Sequence, residues 1–152
     1  MDQLPYLQRA KIQAEILLPL YRRLKLEIGA ERAGALLREA VDEFATALGA
    51  EIAAQGEGTS LEKMRTAFRM FMADGALVLE PVAHTETELS VNIRGCKYAE
   101  YFQALGEAEF GAMLVCGIDP PMTAAVGSGL SLQRTRTIMG GDSHCDFCFR
   151  QA

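Results

Sequence analysis

The chain has 152 residues, of which 49% are hydrophobic, and it carries a formal net charge of −5. A chain of this size and apolar content is expected to form one domain, residues 1–152, with a substantial core. The acidic excess argues against a nucleic-acid-binding protein, which needs a basic face, and no apolar run reaches the roughly 18 residues of a membrane span.

The first half of the chain, residues 1–73, is predicted to be helical. Apolar residues recur at helical spacing over 10–28, and Pro19 is expected to kink this first helix or to restart it. A second helix is predicted over 30–54, and a third begins at Ser60, its predicted N-cap. The first two helices carry more apolar surface than one layer over a small sheet needs, so we expect a homodimer through them.

The second half, residues 74–152, is predicted to hold a sheet and a helical crossover. Alternating apolar residues predict a hairpin of strands over 76–83 and 88–94, and two short helices follow over 98–105 and 107–116. A closing hairpin flanks the Gly-Gly-Asp turn that ends at residue 142. The predicted fold is therefore α+β, with N-terminal helices packed on a four-stranded, mainly antiparallel sheet and a helical crossover between two hairpins.

The four cysteines are Cys96, Cys116, Cys145 and Cys148. No export signal is recognised, so we expect a cytoplasmic protein with reduced thiols. The first three lie at predicted ends of strands or helices and are expected to converge at the rim of the sheet, whereas Cys148 points to the opposite face from Cys145. Two interpretations stay open, namely buried packing residues and a reactive site.

Other polar residues surround these cysteines in the sequence. Asp119 precedes two prolines that would hold it in a rigid loop, where it either acts as a base or caps the turn. Arg134 and Arg136 share one face of a predicted strand, and paired guanidinium groups suit a carboxylate substrate. His144 stands two residues before Asp146, beside the third thiol. Together these residues predict a site for a small anionic molecule.

Several segments resemble one known family. They are Arg134-Thr-Arg-Thr137, Gly141-Asp142, Cys145-Asp146-Phe147, Gly95-Cys96-Lys97-Tyr98, Cys116-Gly-Ile-Asp119 and the helical start over 10–20. In these motifs the chain resembles the L-2-amino-thiazoline-4-carboxylic acid hydrolase family and, more distantly, the 4-vinyl-reductase-type small-molecule-binding domain. Arg136 stands where that hydrolase family usually has Gln, and Cys148 stands where it more often has Arg.

The resemblance implies a hydrolase that adds water at the amidine-like carbon of 2-amino-thiazoline-4-carboxylate and gives N-carbamoyl-cysteine. The implied catalytic residues are Cys96, Cys116, Cys145, Asp119 and Asp146, and the implied substrate-binding residues are Arg134, Arg136, Thr137 and His144. Either a thiolate attacks the ring directly, or the three thiolates hold zinc and leave a fourth position for hydroxide. The alternative is a non-catalytic small-molecule-binding or metal-sensing domain with structural cysteines.

The expected partners follow from the same reasoning. We expect a small anionic substrate and a second copy of the chain, and we expect neither nucleic acid nor a membrane to bind. If the site is catalytic, at least one of the three thiols should be a thiolate near neutral pH, because Arg134, Arg136 or a metal would lower its pKa.

Overall fold

The computed structural model describes residues 4–152. The helices are α1 (Tyr6–Ile28), α2 (Ala30–Ala54), α3 (Ser60–Met72), α4 (Lys97–Ala104), α5 (Ala108–Leu114) and α6 (Asp119–Val126), and the strands are β1 (Leu77–His84), β2 (Glu88–Cys96), β3 (Leu130–Gln133) and β4 (Cys145–Gln151). The strands form an antiparallel sheet in the order β1-β2-β4-β3. The α+β prediction is therefore confirmed. None of the described helices has the length and apolar content needed to cross a bilayer.

Helix α1 continues through Pro19 without restarting. Pro19 lies on the exposed side of the helix. Gly29 ends α1 with φ = +83°, a left-handed conformation that glycine adopts without steric cost, and α2 begins at the next residue. The break between the first two helices is therefore set by the glycine and not by the proline.

The third helix is capped one residue earlier than the sequence predicts. Thr59, rather than Ser60, is the N-cap, and its hydroxyl accepts a hydrogen bond from the backbone N–H of Glu62. The Glu62 carboxylate accepts in return from the Thr59 N–H at 2.7 Å. This reciprocal capping box needs an acidic residue three positions after the cap, which Thr59 has and Ser60 lacks.

Helix α6 is absent from the sequence prediction, which places Pro120 and Pro121 in a rigid loop. In the structure both prolines lie in the first turn of α6, where their missing N–H groups have no helical partner to lose. Helix α2 approaches α6 closely at Gly49, since a Cβ there would lie 2.3 Å from the carbonyl oxygen of Met122. This close packing fixes the position of α6 against α2.

The closing hairpin is also shorter than predicted. Strand β3 ends at Gln133, and residues 134–144 form a loop. The Asp146 carboxylate accepts hydrogen bonds from the N–H groups of Thr135 and Arg136, at 2.8 and 2.6 Å, and from the Thr135 hydroxyl. These bonds hold the backbone of residues 135–136 out of the sheet. Arg134 and Arg136 therefore lie in a loop, and the prediction that they share one face of a strand is wrong.

The side chains of strand β4 alternate between the two faces of the sheet. Cys145, Phe147 and Phe149 are buried on the face that the helices cover, and Asp146, Cys148 and Arg150 lie on the other face. Phe68 of α3 packs edge-on against the rings of Phe147 and Phe149, with centroids 5.7 and 6.1 Å away. This contact between α3 and the inner face of β4 is part of a core to which the other helices also contribute.

Candidate functional site

An ion pair between Asp119 and Arg134 lies at the centre of the candidate site. Arg134 donates one hydrogen bond to the Asp119 carboxylate and another, of 3.2 Å, to the carbonyl oxygen of Cys116. The guanidinium also lies over the ring of Phe147, 5.2 Å from its centroid. Only 14% of the Arg134 side chain and 17% of the Asp119 side chain are exposed. The pair therefore joins the loop after β3 to the start of α6 inside the protein.

Burial changes the acidity of Asp119. Desolvation raises the pKa of this carboxyl to about 6, although Arg134 acts in the opposite direction through its charge and its hydrogen bond. A carboxyl group with a pKa close to the working pH is mostly ionised at pH 7 and still accepts and returns a proton readily. Asp119 is therefore suited to general acid–base chemistry.

The three thiols are positioned by different elements. Cys96 is the N-cap of α4, and its Sγ accepts a hydrogen bond from the Ala99 N–H at 3.4 Å. Cys145 opens β4, and its Sγ accepts from the Ile138 N–H at 3.3 Å. Cys116 begins a short 3-10 turn that leads into α6. A charge on Cys96 or Cys145 would raise the pKa of Cys116.

Burial keeps these thiols protonated. Desolvation is the main cause of a raised pKa at Cys96, Cys116 and Cys145. At Cys116 the Asp119 charge raises the pKa further, and Arg134 lowers it by less. The expectation that Arg134 holds one of the thiols as a thiolate near neutral pH is therefore wrong for this structure, because desolvation outweighs the guanidinium.

The thiols do not form a ready-made metal site. Within residues 4–152, no three His, Cys, Asp or Glu side chains are arranged to hold a metal ion. The zinc alternative requires three thiolates around one ion, and the donor geometry of Cys96, Cys116 and Cys145 does not provide that arrangement.

Two tyrosines belong to the same buried region, and sequence reasoning misses both. The rings of Tyr6 and Tyr98 lie 6.4 Å apart, and the Tyr98 hydroxyl donates to the carbonyl oxygen of Phe71 at 3.0 Å. Burial raises the pKa of Tyr6 to about 12, and the Asp119 charge contributes to the raised pKa of both tyrosines. Tyr98 is part of the Gly-Cys-Lys-Tyr motif, whereas no local pattern marks Tyr6.

Asp146 lies apart from the Asp119 pair, although its charge contributes to the raised pKa of Cys145. It lies on the outer face of β4, where the donors of residues 135–136 bind its carboxylate. Burial acts to raise its pKa, but these hydrogen bonds outweigh burial and lower it. The structure therefore places Asp146 as the anchor of the loop after β3.

The remaining predicted substrate-binding residues also lie outside the buried region. Arg136 is exposed. Thr137 accepts a hydrogen bond from the Gly140 N–H at 3.1 Å and donates its own N–H to Asp142 at 2.9 Å. His144 contacts the hydroxyl of Ser143 at 2.9 Å. The structure joins Arg134 to Asp119 and to the Cys116 carbonyl oxygen, and it leaves Arg136, Thr137 and His144 in the loop.

Comparisons with known proteins relate the chain to one family and to two solved structures. The family model for L-2-amino-thiazoline-4-carboxylic acid hydrolase matches residues 9–149. The chain is similar in structure to the phenol-responsive sensory domain of the transcription activator PoxR, solved with phenol (TM-score 0.55, 14% identity, covering 99% of this chain and 76% of that one). Trafficking protein particle complex subunit 3 from Naegleria fowleri, covalently bound to palmitic acid, matches with a TM-score of 0.49 and 14% identity, covering 93% of this chain and 96% of that one. No curated protein matches the chain.

Proposed function

The chain belongs to the L-2-amino-thiazoline-4-carboxylic acid hydrolase family, and from this premise we propose that it hydrolyses a small, anionic, nitrogen-containing ring. The observation that carries the proposal is the buried pair of Asp119 and Arg134 beside Cys116. The pair supplies a carboxyl group with a pKa of about 6 and a cation in one place. A hydrolase of a ring carboxylate needs both groups.

Asp119 is the general base in this proposal. With 2-amino-thiazoline-4-carboxylate as substrate, Asp119 accepts a proton from water while the water oxygen bonds to the amidine-like carbon, and that proton passes to the ring nitrogen. The C–S bond then breaks as the added hydroxyl becomes a carbonyl, and its proton passes through Asp119 to the leaving sulfur. Both hydrogens of water thus end on the product, N-carbamoyl-cysteine.

The alternative nucleophile is the thiol of Cys116. It must first lose its proton, and both burial and the Asp119 charge raise its pKa. Attack by a thiol requires the thiolate, so the cost of forming that thiolate adds to the barrier of this route. The route through water activated by Asp119 is therefore favoured, and the thiols line the site as neutral groups.

Arg134 binds the substrate carboxylate in this proposal. Two of its hydrogen bonds go to Asp119 and to the Cys116 carbonyl oxygen, and the remaining N–H groups of its guanidinium are free to meet an anion. Stacking on Phe147 fixes the plane of the guanidinium. An anion held there lies beside the carboxylate that takes the proton.

A second candidate is a small-molecule-binding domain without catalysis. It is favoured by the raised pKa of all three thiols, which leaves no ionised nucleophile among them at neutral pH. The fold shared with a phenol-responsive sensory domain adds support at the level of architecture alone.

The test separates the two candidates. The purified protein is incubated with 2-amino-thiazoline-4-carboxylate and with the same ring lacking the carboxylate, and the ring-opened product is measured by mass spectrometry. We expect turnover of the carboxylate, which Asp119→Asn abolishes and Cys148→Ser leaves unchanged. Saturable binding that Arg134→Gln removes but Arg136→Gln spares, with no product from either ring, would overturn the hydrolase in favour of the binding domain.

A further inference from the structure

Helix α1 leaves several large aliphatic side chains exposed, although its inner face also buries Leu7 and Leu18. Ala10 and Ala14 are 1% and 2% exposed against the core, whereas Ile16 and Leu26 are 73% and 82% exposed. Exposed aliphatic side chains grouped on a helix whose other face is already buried indicate a second partner for the outer face.

Five exposed residues share one face of α1, here called the outer stripe, namely Ile12, Ile16, Pro19, Leu20 and Leu26. At about 100° per residue their positions fall within roughly a third of the helix circumference. The exposed ion pair of Arg23 and Glu27 lies on the same face. The outer stripe is therefore an apolar surface with charged residues near its C-terminal end, a composition that suits packing against another helix with matching charges.

The charges along α1 indicate which partner fits. Glu15 and Arg23 stand four residues before and four residues after Pro19, and both are exposed. Within the chain Arg23 pairs with Glu27 at 3.0 Å, and an ion pair this exposed is weak enough to exchange partners. Two antiparallel copies of α1 that cross at Pro19 would place Glu15 of each beside Arg23 of the other. A parallel pair would place Glu15 beside Glu15 and Arg23 beside Arg23, which is repulsive.

The apolar residues follow the same symmetry. Ile12 and Leu26 lie seven residues on either side of Pro19, so the antiparallel crossing places Ile12 of one copy against Leu26 of the other. Ile16 and Leu20 then lie next to the two-fold axis. Ile16 faces Arg22 of the other copy in this arrangement. The self-complementarity that an isologous interface requires therefore comes from the Ile12–Leu26 contact and the Glu15–Arg23 pair.

We propose that the outer stripe binds the outer stripe of a second copy of this chain, with the two α1 helices antiparallel and crossing at Pro19. The inference stands apart from the proposed hydrolase, since it involves none of the residues placed in that site.

The association is tested by sedimentation equilibrium over a range of concentrations. We expect a dimer for the natural chain, and we expect Ile16→Lys combined with Leu20→Glu to raise its dissociation constant at least about tenfold, or 1.4 kcal/mol. The matched control is Val82→Lys on β1, a residue 61% exposed outside the outer stripe, which should leave the constant unchanged. Circular dichroism verifies that each variant is folded.

Charge exchange tests the antiparallel arrangement. Glu15→Arg and Arg23→Glu should each weaken the dimer, and the double variant should restore it, because both partners of each cross pair then change sign together. A natural chain that is monomeric at every concentration, or a dimer that survives the stripe variant, would overturn the proposal. A double variant no tighter than the single variants would overturn the antiparallel crossing.

Discussion

Arg134 donates a hydrogen bond to Asp119 across fifteen positions of sequence, from the loop after β3 to the first residue of α6. Neither residue has another charged partner within salt-bridge distance among the described residues. An arginine so enclosed keeps its charge, so the carboxylate beside it is the group whose protonation changes with pH. The titration of Asp119 therefore links the chemistry of the site to the stability of the fold.

The activity should depend on pH through Asp119. If Asp119 is the base, kcat/KM for the ring carboxylate should rise with pH and level off above about 6, where this carboxyl is ionised. Asp119→Asn should lower turnover by about a hundredfold or more. The measurement is a pH–rate profile with product quantified by mass spectrometry.

A carboxyl outside the buried region provides the control for that profile. Asp142 accepts a hydrogen bond from Thr137 in the exposed loop, and Asp142→Asn should keep the midpoint of the profile. A rate that is independent of pH between about 5 and 8 in the natural chain would contradict the role of Asp119 as base.

Stability should depend on pH through the same residue. The pKa of Asp119 is about 6 in the folded protein and 3.8 ordinarily, so the folded state binds this proton more tightly than the unfolded state does. The contribution of Asp119 to stability is thus full below the ordinary pKa and falls as pH rises through about 6, by about 3 kcal/mol in total.

Comparison with Asp119→Asn isolates this contribution, because asparagine does not titrate. The free energy of unfolding of the natural chain, measured relative to that variant by urea denaturation, should fall between about pH 4 and pH 7. A difference that stays constant, or that grows with pH, would show that Asp119 is not desolvated in the folded protein.

The two arginines of the loop should differ sharply. Arg134→Lys removes the forked contact with Asp119 and the Cys116 carbonyl oxygen, and a lysine ammonium cannot reproduce it. We expect KM for the carboxylate substrate to rise about tenfold or more, as for a lost charged hydrogen bond. Arg136→Lys serves as the matched control, since that side chain is exposed and the change should leave KM as it is.

The thiols should be slow to react. Burial raises the pKa of Cys96, Cys116 and Cys145, so alkylation of the folded protein near pH 7 should modify these three slowly and faster only as the pH rises well above the ordinary thiol value of about 8.5. Peptide mapping by mass spectrometry assigns each modified residue. Early modification of any of the three near neutral pH, with activity lost in step, would favour attack by a thiolate over attack by water that Asp119 activates.

Local sequence signals predicted the elements whose stabilising interactions lie close in sequence. The hairpin of β1 and β2 was predicted within two residues at each end, because alternation and a short polar turn define it. The sequence predicts too long a β3, because Asp146, eleven residues after Thr135, accepts hydrogen bonds from the backbone N–H groups of the loop. The sequence does not predict α6, because two consecutive prolines are compatible both with the end of one helix and with the first turn of another.

The candidate site was only partly predictable for the same reason. Asp119 and the three cysteines stand out by residue type, but the sequence places Arg134 on a strand, and only the fold turns it towards Asp119. Tyr6 lies more than a hundred residues from Asp119 in sequence and joins the region through the packing of α1. Desolvation, which decides that the thiols are neutral, depends on how all these elements enclose one another.

The position of α6, and so of Asp119, should depend on the absence of a side chain at Gly49. A Cβ there would lie 2.3 Å from the Met122 carbonyl oxygen and 2.7 Å from the Ala125 Cβ, and backbone atoms cannot move aside as a flexible side chain can. Gly49→Ala should therefore destabilise the protein by about 1–3 kcal/mol and lower turnover by displacing α6.

Gly34→Ala is the matched control in the same helix, since its Cβ would meet only the mobile end of Arg38 at 3.3 Å. That change should stabilise the helix by up to about 1 kcal/mol through the better helix propensity of alanine, with turnover unchanged. Urea denaturation of both variants decides the matter, and an equal effect of the two alanines would show that α2 and α6 do not approach each other at Gly49 as closely as the structure places them.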